Sequence, residues 1–388
     1  MRVLHVLDSF SFGGAENLVV ELARHVSADH AAGQDLHLDL AVASLGPAGR
    51  EGKDAMLDRF QALGLAPTYL GVRRLLDPIG VIRLARTLRA SSADVVHAHL
   101  GYSATLVPLA ARLAGVPCVA TLHLVPQLGS RADRVKEGLS VLVPATLGRL
   151  VLVSQAAYDG YARHYGPATA SWRCIPNGID VDRYSTARRR LPQDVPVPDG
   201  APVWAVVAAL REPKGHVPLV EAWARVVEQH PDAHLLVVGE GTHRPAIEAR
   251  VRELGLERRV HLLGRREDVP DLLAGVDGVV SASFTEALPT SLVEAAACGL
   301  PVVATDAGGT RDVVLDGETG QVVPVGDVPA LARELSRLLS DPGARAAYGE
   351  AARRRAEQTF SMQTWTRALH DLYAELIDPS RTEPKENA

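Results

Sequence analysis

Short apolar runs alternate with amphipathic stretches along nearly the whole chain, and this alternation limits the fold more than any single motif does. "RVLHVLDS" is mostly apolar without a clean two-residue alternation, as a parallel strand covered on both faces must be. "GGAENLVVELARHVS" follows it with apolar residues at helical spacing. "LHLDLAVASL" then reads as a strand, "DPIGVIRLARTLRAS" as a helix, "ADVVHAHL" as a strand, "SATLVPLAARLAG" as a helix and "PCVATLHL" as a strand, with further strands at "RLVLVS" and "WRCIPNG". The pattern breaks at residues 184–202, "YSTARRRLPQDVPVPDGAP", which hold four prolines and few apolar side chains and read as a linker. It restarts with "VWAVVAAL", "HVPLVEAWARVVEQH" and "HLLVVGEG" and runs on as strand and helix through "PVVAT" and "VPALARELSRLLSD" to a helical end, before a polar, disordered tail at 379–388. Right-handed crossovers turn such a pattern into open parallel sheets with helices on both faces. A chain of 388 residues exceeds one ordinary core. The expected fold is therefore α/β, with two doubly wound, Rossmann-like parallel-sheet domains, at residues 1–183 and 203–360, facing a cleft. In such sheets ligands bind outside the carboxyl ends of the strands.

Composition removes several function classes. A formal net charge of −5 argues against a phosphate-driven nucleic-acid binder. The arginine runs at 188–190 and 353–355 read as solvated faces. Cys118, Cys174 and Cys298 fit neither a zinc spacing nor a closed disulfide framework, so buried free thiols in a reducing compartment are expected. The N-terminal apolar run is too short for a signal peptide. The apolar region 102–126 is interrupted by Arg112, Gly115, Pro117 and His123, which makes it a helix and a strand rather than a membrane span. Residues 131–150 mix basic and apolar side chains; they read as a buried helix, with membrane contact as the alternative. A cytoplasmic protein is the expectation.

Candidate site residues cluster behind strands. Gly13 and Gly14 open the first helix and let a ligand approach the backbone, although no G-x-G-x-x-G is present. His97 and His99 end one strand; Thr121 and His123 end the next, where a histidine can exchange a proton or hold a sugar hydroxyl. Arg211 and Lys214 in "LREPKGH" can neutralise phosphates in front of a helix. Gly239, Gly241 and Gly264 follow strands, where turn glycines are also common. Glu286 and Glu294 frame "ALPTSLV". Ser291 and Glu294 fit a capping box, and both glutamates also fit acceptors for ligand hydroxyls. The N–H groups of Thr290 and Ser291 would then face a phosphate. A diol on a carboxylate and a diphosphate on a helix start describe a nucleotide sugar. "DVD" at 180–182 matches a metal-binding D-x-D, but its place near the linker disfavours a metal.

"GGAE", "DVVHAH", "IPNGID", "PKGH", "LLVVGEG" and, above all, "EALPTSLVEAAACGLPVVATDAGG" resemble the retaining glycosyltransferases of family 4, which have the GT-B fold. The resemblance runs from Met1 to about residue 377. It implies a first domain that binds the acceptor, a second that binds the nucleotide sugar, and a C-terminal helix, 361–378, that crosses back to the first. It gives Glu294 the ribose hydroxyls, Glu286 the donor sugar, Lys214 the donor phosphates and His123 the neighbourhood of the reacting carbon. Gly13 and Gly14 would sit beside the diphosphate or the acceptor, and Gly239, Gly264, Ala287, Leu288, Thr290 and Ser291 would line the donor. Two positions depart from the family: Ala209 stands where an arginine is usual, with Arg211 the substitute at hand, and Ala287 stands where glycine is frequent. The implied reaction is metal-independent hexosyl transfer without a cofactor, in polysaccharide or glycoconjugate synthesis, to a lipid-linked glycan or a small molecule. A monomer or homodimer in the cytoplasm is expected, with peripheral contact at the inner face of the cytoplasmic membrane as the alternative. The rival readings are a nucleotide-sugar epimerase or hydrolase of the same fold and a non-catalytic nucleotide-sugar-binding protein.

Overall fold

The computed structural model describes residues 1–11, 13–31, 37–49, 53–72 and 78–378. The tail at 379–388 lies outside the described residues. The chain forms two compact units. The first holds Met1–Gly178 and the chain from Met362 onward; the second holds Ile179–Ser361.

The first unit is built on strands β1 (Arg2–Leu7), β2 (Asp39–Ser44), β3 (Thr68–Tyr69), β4 (Val95–His99), β5 (Cys118–Leu122), β6 (Arg149–Leu152) and β7 (Trp172–Cys174). They form one parallel sheet in the order β3-β2-β1-β4-β5-β6-β7. Every residue of β4 and β5 is buried, which explains their continuous apolar character. On one face the helices Pro78–Ala90, Gly101–Ala114, Arg131–Leu147 and Gln155–Tyr165 contribute Leu84, Val107, Val141 and Ala157 to a core with Val6 and Val96. On the other, Leu22 and Val26 of helix Gly14–Ala31 join Trp365, Leu369 and Leu372 of helix Met362–Ile377 over Val3, Val95 and Val119. The last helix of the chain thus completes the core of the unit that contains its first strand. Arg149 and Arg173 clamp it from the sheet edge through Glu375, at 3.1 and 3.0 Å.

The second unit has strands β8 (Val203–Val207), β9 (His234–Val238), β10 (Val260–Gly264), β11 (Gly278–Ser281), β12 (Val302–Thr305) and β13 (Gly320–Val323). Their order is β10-β9-β8-β11-β12-β13, again all parallel. Trp204, Leu219, Trp223, Leu235, Ile247 and Leu335 centre its core.

Several sequence expectations are corrected. Residues 184–202 are not a free connector: they lie within the second unit, which begins at Ile179. Arg188 pairs with Asp277 at 2.7 Å and Arg189 with Asp271 at 2.8 Å, Arg266 holds Asp194, and the Leu191 side chain fills the space a Cβ on Gly275 would take. The prolines mark an extended path anchored by side chains. Arg353 does not lie on a solvated face: its guanidinium donates to the carbonyls of Val181, Tyr184 and Ala297, and Arg355 donates to those of Asp312 and Val313. Cys118 and Cys298 are buried thiols, but Cys174 on the edge strand is exposed. Helix Arg131–Leu147 is buried on one face only: Val141 lies in the core, whereas Val135 is 64% exposed and Leu142 51%. Strands β3 and β13 and the short helix Leu57–Ala62 have too few apolar residues to register as a pattern. Among the described residues, no helix is long and apolar enough to cross a membrane.

Leu369 is 1% exposed in the shared core. Leu369→Ala in the full chain should therefore cost about 2–5 kcal/mol, as truncations of buried leucine do. Denaturant unfolding followed by hydrogen exchange should show the loss in β1, β4 and β5 and leave the strands of the second unit as protected as in the parent. Unchanged exchange in the first unit would refute the packing described.

Candidate functional site

In the second unit the strand order reverses between β8 and β11, and the loops leaving the carboxyl ends of these two strands are locked together. Such a reversal opens a crevice at the strand ends. Gly215 has φ +65, and a Cβ there would lie 1.9 Å from the Ala282 carbonyl oxygen, so only glycine permits the contact. Phe284 N–H donates to the Pro213 carbonyl at 2.8 Å. Lys214, on the short turn Glu212–Lys214, is thereby brought to Glu286: Nζ and Oε1 are 2.6 Å apart. The Ser283 hydroxyl donates to the same oxygen at 2.7 Å. Arg211 projects from the β8 loop, exposed and with no side-chain partner among the described residues, and Ala209 is exposed on the same loop.

Helix Thr290–Ala297 starts behind Pro289 without a side-chain cap. Ser291 already lies inside the helix, so the expected Ser291–Glu294 capping box does not form. Glu294 is bound instead by the Tyr184 hydroxyl. Burial pushes its carboxyl up to about 7, against the opposing pull of Tyr184 and of Arg183. Ala287 and Leu288 form the floor before the helix: the Ala287 carbonyl sits 1.8 Å from where a Gly309 Cβ would be, Gly309 N–H donates to the Glu286 carbonyl at 3.0 Å, and Leu288 is buried. Thr290 is exposed and Ser291 half-buried at the helix start.

The strand-end glycines have a structural cause of their own. A Cβ on Gly239 would meet the Ala208 carbonyl oxygen at 1.9 Å, and one on Gly241 the Leu210 carbonyl oxygen at 2.3 Å. Gly239 N–H donates to the Gly264 carbonyl at 2.8 Å, and Gly264 has φ +69. These residues let three loops touch. Asp180 of the D-x-D spends its carboxylate on the Asp182 N–H, as the cap of turn Val181–Arg183.

The first unit carries a second cluster, at the reversal between β1 and β4. Asp8, just past β1, accepts from the Ser103 and Tyr102 N–H groups at 2.8 and 3.4 Å and so caps the helix behind β4. Leu100 at that corner has φ 72, a strained value for a branched side chain. A cavity of about 380 Å³ lies here, lined among others by Asp8, Leu100, Tyr102, Leu122, His123 and Tyr161. His123 ends a row of imidazoles: His5 Nδ1 lies 2.9 Å from His99 Nε2, and His99 Nδ1 lies 3.1 Å from His123 Nε2. His97 makes its own bonds, to Tyr373 OH at 2.6 Å and Thr121 Oγ1 at 2.7 Å. Burial lowers all four, His5 to about 3, His123 to about 4 and the other two well below the usual value, so each ring is neutral at pH 7. Gly13 and Gly14 open helix Gly14–Ala31, but the Glu16 carboxylate folds back on Gly13, where a Cβ would lie 2.3 Å from Oε2, whereas a Cβ on Gly14 would meet nothing within 4 Å.

Sequence reasoning missed Ser283, Tyr184 and Asn177. Asn177 contacts His123 Nδ1 at 3.5 Å and was legible inside "IPNG"; Tyr184 was hidden by the linker reading; Ser283 carried no signal of its own.

Comparison with known proteins follows this geometry. A family model described as Glycosyltransferase Family 4 matches residues 12–183, and one described as Glycosyl transferases group 1 matches residues 187–355. The chain is 30% identical over 297 residues to a glycogen synthase of Mycobacterium tuberculosis, across 74% of this chain and 70% of that protein. It is 30% identical over 308 residues to a D-inositol 3-phosphate glycosyltransferase of Corynebacterium jeikeium, across 74% and 73%. A crystal structure of Anabaena Alr3699/HepE in complex with UDP superposes with a TM-score of 0.81 over 97% of this chain and 100% of that one, at 22% identity. The likeness shows the GT-B fold.

The raised Glu294 carboxyl has a measurable cost. The folded state holds its proton up to about pH 7, whereas the unfolded chain releases it near the ordinary glutamate value. Its contribution therefore becomes unfavourable as pH rises through that window and is fully unfavourable above it. Glu294→Gln should gain stability relative to the parent between pH 5 and pH 8, by up to about 1.4 kcal/mol per pH unit. Denaturant midpoints at the two pH values test this; a difference between variant and parent that does not change with pH would show an ordinary carboxylate.

Proposed function

The chain belongs to glycosyltransferase family 4, and from that premise we propose that it moves a hexose-type sugar from a nucleoside-diphosphate sugar to an acceptor hydroxyl with retention of the anomeric configuration. The observation that carries this reading is the Lys214–Glu286 contact of 2.6 Å at the strand-order reversal, beside a helix start without a side-chain cap. A lysine neutralised by a carboxylate at the end of two strands is poised to exchange that partner for a diphosphate, which releases Glu286 to the hydroxyls of the donor sugar. Glu294 takes the ribose hydroxyls.

In the reaction the bond from the anomeric carbon to the diphosphate oxygen breaks, and the acceptor oxygen bonds the same face of that carbon. The acceptor proton passes to the leaving phosphate. Negative charge grows on the diphosphate, and Lys214, Arg211 and the helix beginning at Thr290 stabilise it. Only interactions that strengthen toward the transition state accelerate the step. In this scheme charge stabilisation needs neither a metal nor a cofactor.

We assign the acceptor to the first unit, in the cavity beside His123. The Glu16 carboxylate at Gly13 favours a hydroxylated acceptor there over the donor's diphosphate. The acceptor is a glycan or a small molecule with an apolar part that suits Leu100, Leu122 and Tyr161. Nine of the twelve exposed large apolar side chains among the described residues fall between Ile79 and Leu142, seven of them on helices that also expose Arg83, Arg86, Arg112 and Arg134, and Leu124 and Leu128 in the loop before the last of these helices. That mixture fits peripheral contact with an anionic membrane at its cytoplasmic face.

Nucleoside diphosphate release from a panel of nucleotide sugars, with anomeric analysis of the product by NMR, tests the reading. Lys214→Ala should lower turnover by about 10²–10³. Arg211→Ala should lower it by about tenfold to a few hundredfold, with less effect on nucleoside diphosphate affinity. EDTA should leave the parent enzyme active. Loss of turnover in EDTA, restored by magnesium or manganese, would overturn the metal-free scheme; wild-type turnover in Lys214→Ala would overturn the site.

Membrane contact is tested by sedimentation with phosphatidylglycerol-containing vesicles. Binding should exceed that to phosphatidylcholine vesicles, weaken in salt and fall in an Arg83→Glu/Arg86→Glu variant; equal, salt-insensitive recovery on both would refute it.

A further inference from the structure

The histidine row in the first unit has a property that none of its members has alone. His5 sits on β1, His99 on β4 and His123 just past β5, and their rings lie edge to edge with nearly parallel planes: His5 and His99 at 5.2 Å between centroids and 16°, His99 and His123 at 5.4 Å and 21°. His5 and His99 are 0% and 1% exposed. Each contact along the row joins one nitrogen of one ring to one nitrogen of the next. A neutral imidazole has one N–H and one bare nitrogen. Two facing N–H groups would collide, and two facing lone pairs would repel. So every contact needs one donor and one acceptor, and the choice made at one ring fixes the next.

The contacts alternate in a consistent sense. His5 Nδ1 meets His99 Nε2, and His99 Nδ1 meets His123 Nε2. If His123 donates through Nε2, His99 must also carry its proton on Nε2, and so must His5. If His5 donates through Nδ1, all three carry it there. No mixed arrangement keeps both hydrogen bonds. The far end of the row, His5 Nε2, is buried with no partner among the described residues, so they offer no route by which a proton could enter or leave there. The near end, His123 Nδ1, meets the Asn177 side chain, at 3.5 Å, beside the cavity.

We propose that His5 and His99 are positioning residues that lock His123 into one tautomer shared by all three rings and leave Nδ1 as its single ligand-facing nitrogen. His123 then meets substrate in one fixed hydrogen-bonding sense, and it cannot switch between donor and acceptor without the whole row turning over. A metal ion is the competing explanation, because nitrogens of His5, His97 and His99 lie within 4.8 Å of one another. The hydrogen bonds already account for five of the six nitrogens of those three rings.

The tautomer assignment stands apart from the glycosyl-transfer reading; its effect on turnover rests on that reading. Long-range proton–nitrogen correlation spectra of the ¹⁵N-labelled full chain at pH 7.5 distinguish the two neutral tautomers and the cation. His5, His99 and His123 should show one and the same neutral tautomer. His5→Leu should give His123 a mixture of tautomers and lower kcat about tenfold with little change in KM for the nucleotide sugar. His5→Asn, whose amide can place a donor or acceptor where Nδ1 stood, should restore both the spectrum and kcat. Different tautomers at His99 and His123, a cationic ring, or stoichiometric zinc in elemental analysis of the purified protein would overturn the proposal, and so would a His5→Leu variant with unchanged His123 signals. The spectrum of the parent protein decides the central point even if His5→Leu does not fold. A shared tautomer in a protein that transfers no sugar would leave the row in place and remove only its catalytic consequence.

Discussion

Strands β4 and β5 have no solvent face, and most of what surrounds them follows from that. A parallel strand buried on both sides needs a helix layer above and below, and it delivers its carboxyl end, with the loop that follows, to one edge of the sheet. In the first unit one layer comes from helices that lie between the strands in sequence. The other is short by one helix until residue 362, when the last helix of the chain supplies Trp365, Leu369 and Leu372. The second unit closes both layers from within a continuous segment. In both units the candidate site residues gather where strand order reverses.

Dry sheets make polar groups expensive unless they are paired. The first unit meets this cost with pairs among histidines, and with the Tyr373 hydroxyl on His97. The second meets it with Tyr184 on Glu294 and with Lys214 and Ser283 on Glu286. These partners hold the polar side chains of the candidate sites in place. Glu294 shows the tension most clearly: burial holds its proton to about pH 7, where an exposed glutamate would be ionised.

The fold was legible because parallel strands announce themselves as apolar runs between helical patterns. Lys214 and Glu286 were legible because a K-G pair and the E-x7-E segment are specific. What stayed hidden depended on contacts between segments far apart in the chain. Tyr184 lies 110 positions from Glu294, in a stretch whose prolines suggested a connector. The capping box failed because Pro289, with its missing N–H and fixed φ, starts the helix before Ser291, so the serine arrives too late to cap it. Arg353 and Arg355 looked like surface charges, yet their guanidinium groups donate to backbone carbonyls of segments far away in the chain. The turn glycines were visible, but not that backbone carbonyls of neighbouring loops fill the places of their Cβ atoms.

The position of helix Met362–Ile377 sets an order on biosynthesis. The second unit is one uninterrupted stretch, Ile179–Ser361, and emerges from the ribosome whole. The first unit, although its strands are made earliest, cannot bury Val3, Val95 and Val119 fully until helix Met362–Ile377 has been synthesised. At a translation rate of about 5–20 residues per second, the half-built sheet waits on the order of ten seconds or more with an apolar face uncovered. The sheet made first is thus covered on both faces only after the whole segment of the second unit, Ile179–Ser361, has been made.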